Sequence, residues 1–283
     1  MFITSCLARS ESRARYGAWL RYTLGYLVEA FKTLPTRPEP LEELLVSIRG
    51  KRKEELSQAT KVDIWGAWRM LYLWAEERVG APNAMKAVQK PRRRKTRKPA
   101  LSQPQVERLV SNARQRGARD HALIRVLVDA GPRIGELKSL TWTSVSWQID
   151  TDGSTVYTLE LPDDGKRGAR DVPILPETFR ALQRLASLNG GNTLWTGRRG
   201  PLTTWGLQGI VRKALAEIGV TGGPHMLRHT FARLFLRRGG NLLVLQEILG
   251  HADLGTTSLY LDIPGEVREQ HARFSPLAGM AEQ

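Results

Sequence analysis

Between residues 16 and 31 apolar side chains recur every three or four positions: Tyr16, Leu20, Leu24, Leu27, Val28 and Phe31. That spacing predicts one amphipathic helix with a single core-facing stripe. Pro35, Pro38 and Pro40 break the pattern, and a short helix is predicted over residues 41–48. A third helix is predicted from about residue 58 to 79, with Trp65, Trp68, Tyr72 and Ala75 on one face. Aromatic residues that keep helical period read as core packing rather than as a base-stacking platform. The region 1–85 is therefore expected to be a small helical domain, and it carries no catalytic motif.

The pattern resumes after residue 100. Ala100-Leu101-Ser102 reads as a strand end or as the cap entering a helix with Val106, Leu109 and Val110 inward. A second helix is predicted over 119–130, carrying Ala122, Leu123, Val126 and Leu127; Gly131-Pro132 interrupts it, and a short helix follows over 134–140. The period then changes to two over 155–161, Asp163-Asp164-Gly165 marks a turn, and a second strand is predicted over 171–175. Helical spacing returns at 177–188, 204–218, 225–238 and 241–249, and a last short helix is predicted over 267–274. The fold class is mainly α: a small helical N-terminal domain, then a mostly helical domain over 100–283 with a small antiparallel β-sheet.

Charge changes this picture more than composition does. The 283 residues are 41% apolar, enough for a real core in each of two domains. Lys and Arg number 43 against 28 Asp and Glu, a net charge of +15, which points to a polyanionic partner such as nucleic acid or an acidic membrane surface. Eight cations, Lys86, Lys90, Arg92, Arg93, Arg94, Lys95, Arg97 and Lys98, fall together with no acidic residue among them. Bounded by Pro91 and Pro99 and without apolar period, residues 86–99 read as a basic linker. A solvated tether and a segment lying along a phosphate backbone fit this run equally well. No stretch of about 18 apolar residues exists, so no transmembrane helix is expected, and no amphipathic helix carries the basic run, so no membrane partner is expected. Cys6 is the only cysteine, which excludes an intrachain disulfide. The N-terminus reaches charge before any signal-like apolar run, and a cytoplasmic protein is expected.

Four short segments carry candidate chemistry. Gly131-Pro132-Arg133 leads into Glu136, an arginine at a helix start with a carboxylate three positions on. Lys166 follows Gly165 on the predicted hairpin turn, beside Arg167 and Arg170. His225 and Arg228 stand at i, i+3 near another helix start. Leu249-Gly250-His251 is followed nine residues later by Tyr260. His225 and His229 have the spacing of a zinc pair, but no Glu follows the first histidine and Arg228 lies between them, so a metal site is not expected.

Together these motifs resemble the tyrosine recombinase (phage integrase) family over residues 100–262, in a compact Xer-like or mobile-element form. The resemblance implies a site-specific DNA recombinase that cleaves and rejoins DNA through a 3′-phosphotyrosine intermediate, in integration, excision or resolution. It implies no metal and no cofactor. Its catalytic set falls on Arg133, Lys166, His225, Arg228, His251 and Tyr260, with Glu136 holding Arg133 or His225 in place. Residues 1–85 become a core-binding (SAM-like) DNA-binding domain, the 86–99 cations become phosphate contacts, and 100–283 becomes the catalytic domain with its tail. The implied partners are double-stranded DNA and further copies of the chain, a homo-tetramer (dimer of dimers) on synapsed DNA.

The chemistry is intelligible from the residue types. A phosphodiester under attack gathers negative charge on its non-bridging oxygens, which suits the bidentate donors of Arg133 and Arg228. Tyrosine needs nearby positive charge or a base to act at neutral pH; His225 could take its proton, His251 donate to a phosphate oxygen, and Lys166 protonate the leaving 5′-oxygen. Pro132 departs from the family pattern; Arg133 is still expected at the first or second helical position, with altered local geometry. A type IB topoisomerase-like relaxing enzyme and a non-catalytic DNA-binding regulator of the same fold are the alternatives. The 23 residues after Tyr260 could dock on a neighbouring protomer or fray.

Overall fold

The computed structural model describes residues 13–50, 54–92, 99–150, 153–162, 169–189, 192–250 and 263–280. The chain divides into two compact units, residues 1–96 and 97–283.

In the first unit, α1 (Arg13–Ala30), α2 (Glu39–Ser47) and α3 (Gln58–Val79) enclose one apolar cluster that includes Leu20, Leu24, Leu27, Leu41, Ile64 and Trp68. Ser57 caps α3 by accepting the amide of Thr60 at 3.1 Å. The Trp68 indole donates to the Thr23 carbonyl at 2.9 Å and ties α3 to α1; the Tyr72 hydroxyl donates to the Pro35 carbonyl at 2.8 Å. Burial pushes the Tyr72 phenol up to about 12. Val28 does not join the α1 stripe, being 77% exposed. It lies about 80° round the helix from Leu20, beyond the narrow arc that Leu20, Leu24 and Leu27 occupy. Trp65 is half-buried at the edge of its face, its indole donating to the Val88 carbonyl at 3.2 Å.

The start of the basic run differs from an extended tether. Residues 84–86 form a 3₁₀ turn, and Met85 and Val88 are buried in the first unit's core. Lys86 pairs with Glu76, and Lys90 stands 5.8 Å over the Trp65 ring. Apolar residues at 85 and 88 anchor this stretch, which sequence period alone did not reveal. Arg92 is exposed; Arg93, Arg94, Lys95, Arg97 and Lys98 lie outside the described residues.

The second unit is mostly helical around a small sheet. Its helices are α4 (Gln103–Arg116), α5 (Ala118–Asp129), α6 (Ile134–Leu137), α7 (Pro176–Asn189), α8 (Thr204–Glu217), α9 (Pro224–Arg237), α10 (Leu242–Leu249) and α11 (Ile263–Phe274). Strands β1 (Val145–Ile149), β2 (Thr155–Leu161) and β3 (Arg170–Ile174) form an antiparallel sheet in that order, with Leu159 facing Val145 on one side and Val172 on the other. Two-residue strands β4 (Thr196–Gly197) and β5 (Gly200–Pro201) make a second, minimal pair. Helix α5 packs against α4, α7 and α9, and every residue from Asp120 to Asp129 is buried.

Residues 263–280 of the tail are seated on their own chain. α11 packs on β3, α9 and α10 of its own chain, with Val267 and Leu277 in the core. Arg238 grips the segment beyond it, donating to the carbonyls of Ser275, Pro276 and Ala278. Among the described residues no helix is long and apolar enough to cross a membrane.

Candidate active site

The loop joining α5 to α6 is built for close approach. Gly131 has φ +62°, and a Cβ there would come within 2.7 Å of Phe231 Cδ1 and 3.0 Å of Leu249 Cδ2, so the residue must be glycine on two counts. Pro132 is buried, and Arg133 follows as the cap of α6 with extended backbone (φ −73°, ψ 144°). It thus stands one position earlier than the first helical position expected from sequence, because α6 begins only at Ile134.

Glu136 then reaches back. Its Oε2 accepts the Arg133 backbone amide at 2.6 Å, and its Oε1 lies 3.3 Å from the Arg133 guanidinium. The carboxylate is 1% exposed, and a buried carboxylate requires paired cations. The second cation is Arg170, which donates through Nη1 to Oε1 at 2.9 Å and through Nη2 to Oε2 at 3.2 Å. Arg170 is therefore the first residue of β3 and a half-buried partner of Glu136, not one of a group of turn cations. Among the described residues Glu136 serves the two arginines; it makes no bond to His225.

Arg228 comes from the first turns of α9, where Pro224 opens the helix after the Gly223 cap. Its guanidinium is buried and spans two segments, Nη1 donating to the Gly131 carbonyl at 2.7 Å and Nη2 to the Leu249 carbonyl at 2.8 Å. His225 lies one turn before it and is exposed. The two residues share a helix face but differ in depth: the arginine is sunk against the loop and the histidine reaches solvent. His229 is half-buried, and among the described residues no cluster of three or more His, Cys, Asp or Glu could hold a metal.

Leu249 ends α10, and Gly250 closes it in the left-handed region with φ +63°. His251 is the next residue; it, Tyr260 and Lys166 lie outside the described residues. The structure thus brings Arg133, Glu136 and Arg228 to one loop, adds Arg170, and places the last turn of α10 against both Arg228 and Arg170. Sequence reading put Arg170 on the turn beside Lys166 and missed its pairing with Glu136; its place just before the predicted strand 171–175 was the one local signal.

Arginines from separate elements thus converge on one loop, with a buried carboxylate between two of them, on a mostly helical fold. The phage integrase family model matches residues 99–265, and the chain belongs to that family. It is 34% identical over 192 residues to the tyrosine recombinase XerC of Mesorhizobium japonicum, covering 65% of this chain and 58% of that protein. It is 31% identical over 202 residues to the XerC of Bacillus subtilis, covering 68% of this chain and 66% of that protein. The matched region thus spans less than two thirds of the length of these curated relatives. In fold it is similar to a lambda integrase (75–356) dimer bound to a COC′ core site, with TM-score 0.70, 16% identity, and 89% of this chain and 92% of that one covered. XerH site-specific recombinase bound to palindromic difH substrate aligns with TM-score 0.68 and 20% identity over 95% of this chain and 81% of that one.

Proposed function

We propose that this chain is a site-specific DNA recombinase that cleaves and rejoins duplex DNA through a covalent 3′-phosphotyrosine on Tyr260. The observation that carries the reading is the shared anchoring of Arg133 and Arg228 on the Gly131–Glu136 loop, Arg228 through the Gly131 carbonyl and Arg133 through Glu136. Both arginines are held by contacts inside the protein before any substrate arrives, which is the preorganisation that transition-state charge requires. Membership of the phage integrase family and similarity to XerC proteins support the same reading.

In this mechanism the Tyr260 oxygen attacks the phosphorus, the bond to the 5′-oxygen breaks, and phosphate passes to the tyrosine. His225 takes the phenolic proton, and its exposure at the start of α9 suits a group that meets substrate. Arg133 and Arg228 stabilise the non-bridging oxygens, His251 donates a further hydrogen bond, and Lys166 protonates the departing 5′-hydroxyl. Attack by a 5′-hydroxyl on the phosphotyrosine reverses these steps. The phosphoester bond is exchanged rather than hydrolysed, so rejoining needs no nucleotide.

Residues 1–85 act in this reading as the DNA-binding domain, 86–99 as a basic segment against the phosphate backbone, and 100–283 as the catalytic domain. The partner is double-stranded DNA, with a homo-tetramer (dimer of dimers) formed at synapsis in the cytoplasm; a lambda integrase tetramer bound to a Holliday junction is among the similar folds. The test is covalent trapping on nicked duplexes drawn from the genetic element that encodes the chain. Wild type forms a protein–DNA adduct that survives denaturation, and Tyr260→Phe forms none. An adduct with Tyr260→Phe overturns the nucleophile, and relaxation of supercoils without a second site replaces recombination by a topoisomerase activity.

A further inference from the structure

We propose that Arg170 is a positioning residue for the strand-transfer reaction, locking the Arg133 loop to the turn that leads into His251. The inference rests on the recombinase reading above. Arg170 is the first residue of β3 and its side chain is 13% exposed. One edge of its guanidinium makes the bidentate pair with Glu136. Its Nε points at the Ile248 carbonyl, at 3.4 Å, in the last turn of α10. A Cβ on Gly250 would lie 3.0 Å from that Nε and 3.1 Å from Cζ, so the closing turn of α10 is seated directly on the guanidinium.

Arg170 therefore repeats the connection that Arg228 makes. Each guanidinium crosses from the 131–136 loop to residues 248–250, Arg228 through two carbonyls and Arg170 through a carboxylate and a carbonyl. Two parallel ties fix a relative position more firmly than one, and in the proposed mechanism the two segments carry groups that act on one phosphate.

Arg170 also sets how strongly Glu136 competes for Arg133. It has the shorter, two-pronged contact with the carboxylate, while the Arg133 guanidinium stands at 3.3 Å. Without Arg170 the buried carboxylate keeps Arg133 as its ion-pair partner and draws that guanidinium inward, away from a phosphate.

The experiment has a catalytic arm and a DNA-free arm. Arg170→Ala lowers the rate of covalent complex formation on a nicked duplex by at least about tenfold, the usual cost of removing a group that orients a reacting side chain. Affinity for the same duplex, measured in the Tyr260→Phe background, stays unchanged. Adding Glu136→Gln to Arg170→Ala restores part of the rate, since no carboxylate remains to hold Arg133 back; a purely structural role makes the double variant no better than Arg170→Ala. Arg170→Lys, which keeps the charge with one prong, falls between wild type and Ala. In the DNA-free arm, amide exchange in Arg170→Ala rises in residues 133–137 and 248–250 while the α4 and α5 amides are unchanged. A wild-type rate in Arg170→Ala, or no rescue together with exchange rising evenly through the domain, overturns the proposal. If wild type itself forms no adduct, the recombinase reading fails, and the exchange arm alone decides whether Arg170 locks the two segments.

Discussion

The imidazole of His271 places Nε2 2.9 Å from the backbone oxygen of Asp129 and 3.3 Å from its carboxylate, joining residues 142 positions apart. The same carboxylate accepts the Ser275 hydroxyl at 2.6 Å and the Leu175 amide at 2.8 Å, so the end of α5 is the seat on which the tail rests. Asp129→Asn keeps the shape but turns a donor toward one of these donors. We expect it to cost about 1–3 kcal/mol, read as a lowered urea midpoint for the second unit.

Acid should act on the same seat. Burial pushes the Asp129 carboxyl up, but the imidazole, the Ser275 hydroxyl and the Leu175 amide outweigh it and hold the group below its ordinary 3.8. Its contribution is complete above about pH 4 and is lost as the pH falls through the lowered value. Protease cleavage within 263–280 should rise in that acid range in wild type, and should already be raised at neutral pH in Asp129→Asn.

Arg133 and Arg228 should separate stability from activity. Alanine at either position removes a guanidinium that the proposed mechanism places on the phosphate and should slow adduct formation by about 10²–10³-fold. Arg228→Ala also leaves the Gly131 and Leu249 carbonyls without their guanidinium and should lower stability by roughly 1–3 kcal/mol. Arg133→Ala leaves Glu136 paired with Arg170, and its stability should stay within about 1 kcal/mol of wild type. Paired unfolding and trapping measurements check both.

Gly131→Ala combines a positive φ with a methyl 2.7 Å from Phe231. We expect a loss of roughly 2–4 kcal/mol and a fall in adduct formation, because the strained segment leads directly to Arg133.

The cations at 92–98 should appear in the salt dependence. Each phosphate contact removed lowers the slope of log affinity against log salt by about 0.9. Replacing Arg92, Arg93 and Arg94 by Gln should flatten that slope, whereas Lys86→Gln should do less, because its ammonium is already committed to Glu76. Filter binding over a salt series is the measurement.

What the sequence disclosed follows from the range of its signals. α3 has the predicted bounds because Ser57 opens it and Gly80 closes it, both local events. β1 went unpredicted: of its five residues only Val145 is buried, while Trp147 and Ile149 are 60% and 67% exposed, so no alternation of burial marks the strand. Arg133 and Glu136 were legible as a pair three positions apart. Arg170 was not, since its partner lies 34 positions earlier and is reached only after β2 and β3 have paired. His271 is equally silent in the sequence, with no motif near it and its partner on α5.

Helix α5 is enclosed on all sides, and this bears on how the family site can vary. α7 alternates buried and exposed positions, so a mutational scan across it should show tolerance rising and falling every three to four residues. Along 120–129 there is no outward side onto which a change could be turned, and tolerance should be uniformly low. That rod ends at Asp129, four positions before Arg133. In the proposed reading, changes that retune the choice of DNA fall on the surfaces around it, while the loop that carries Arg133 springs from an element that accepts little change.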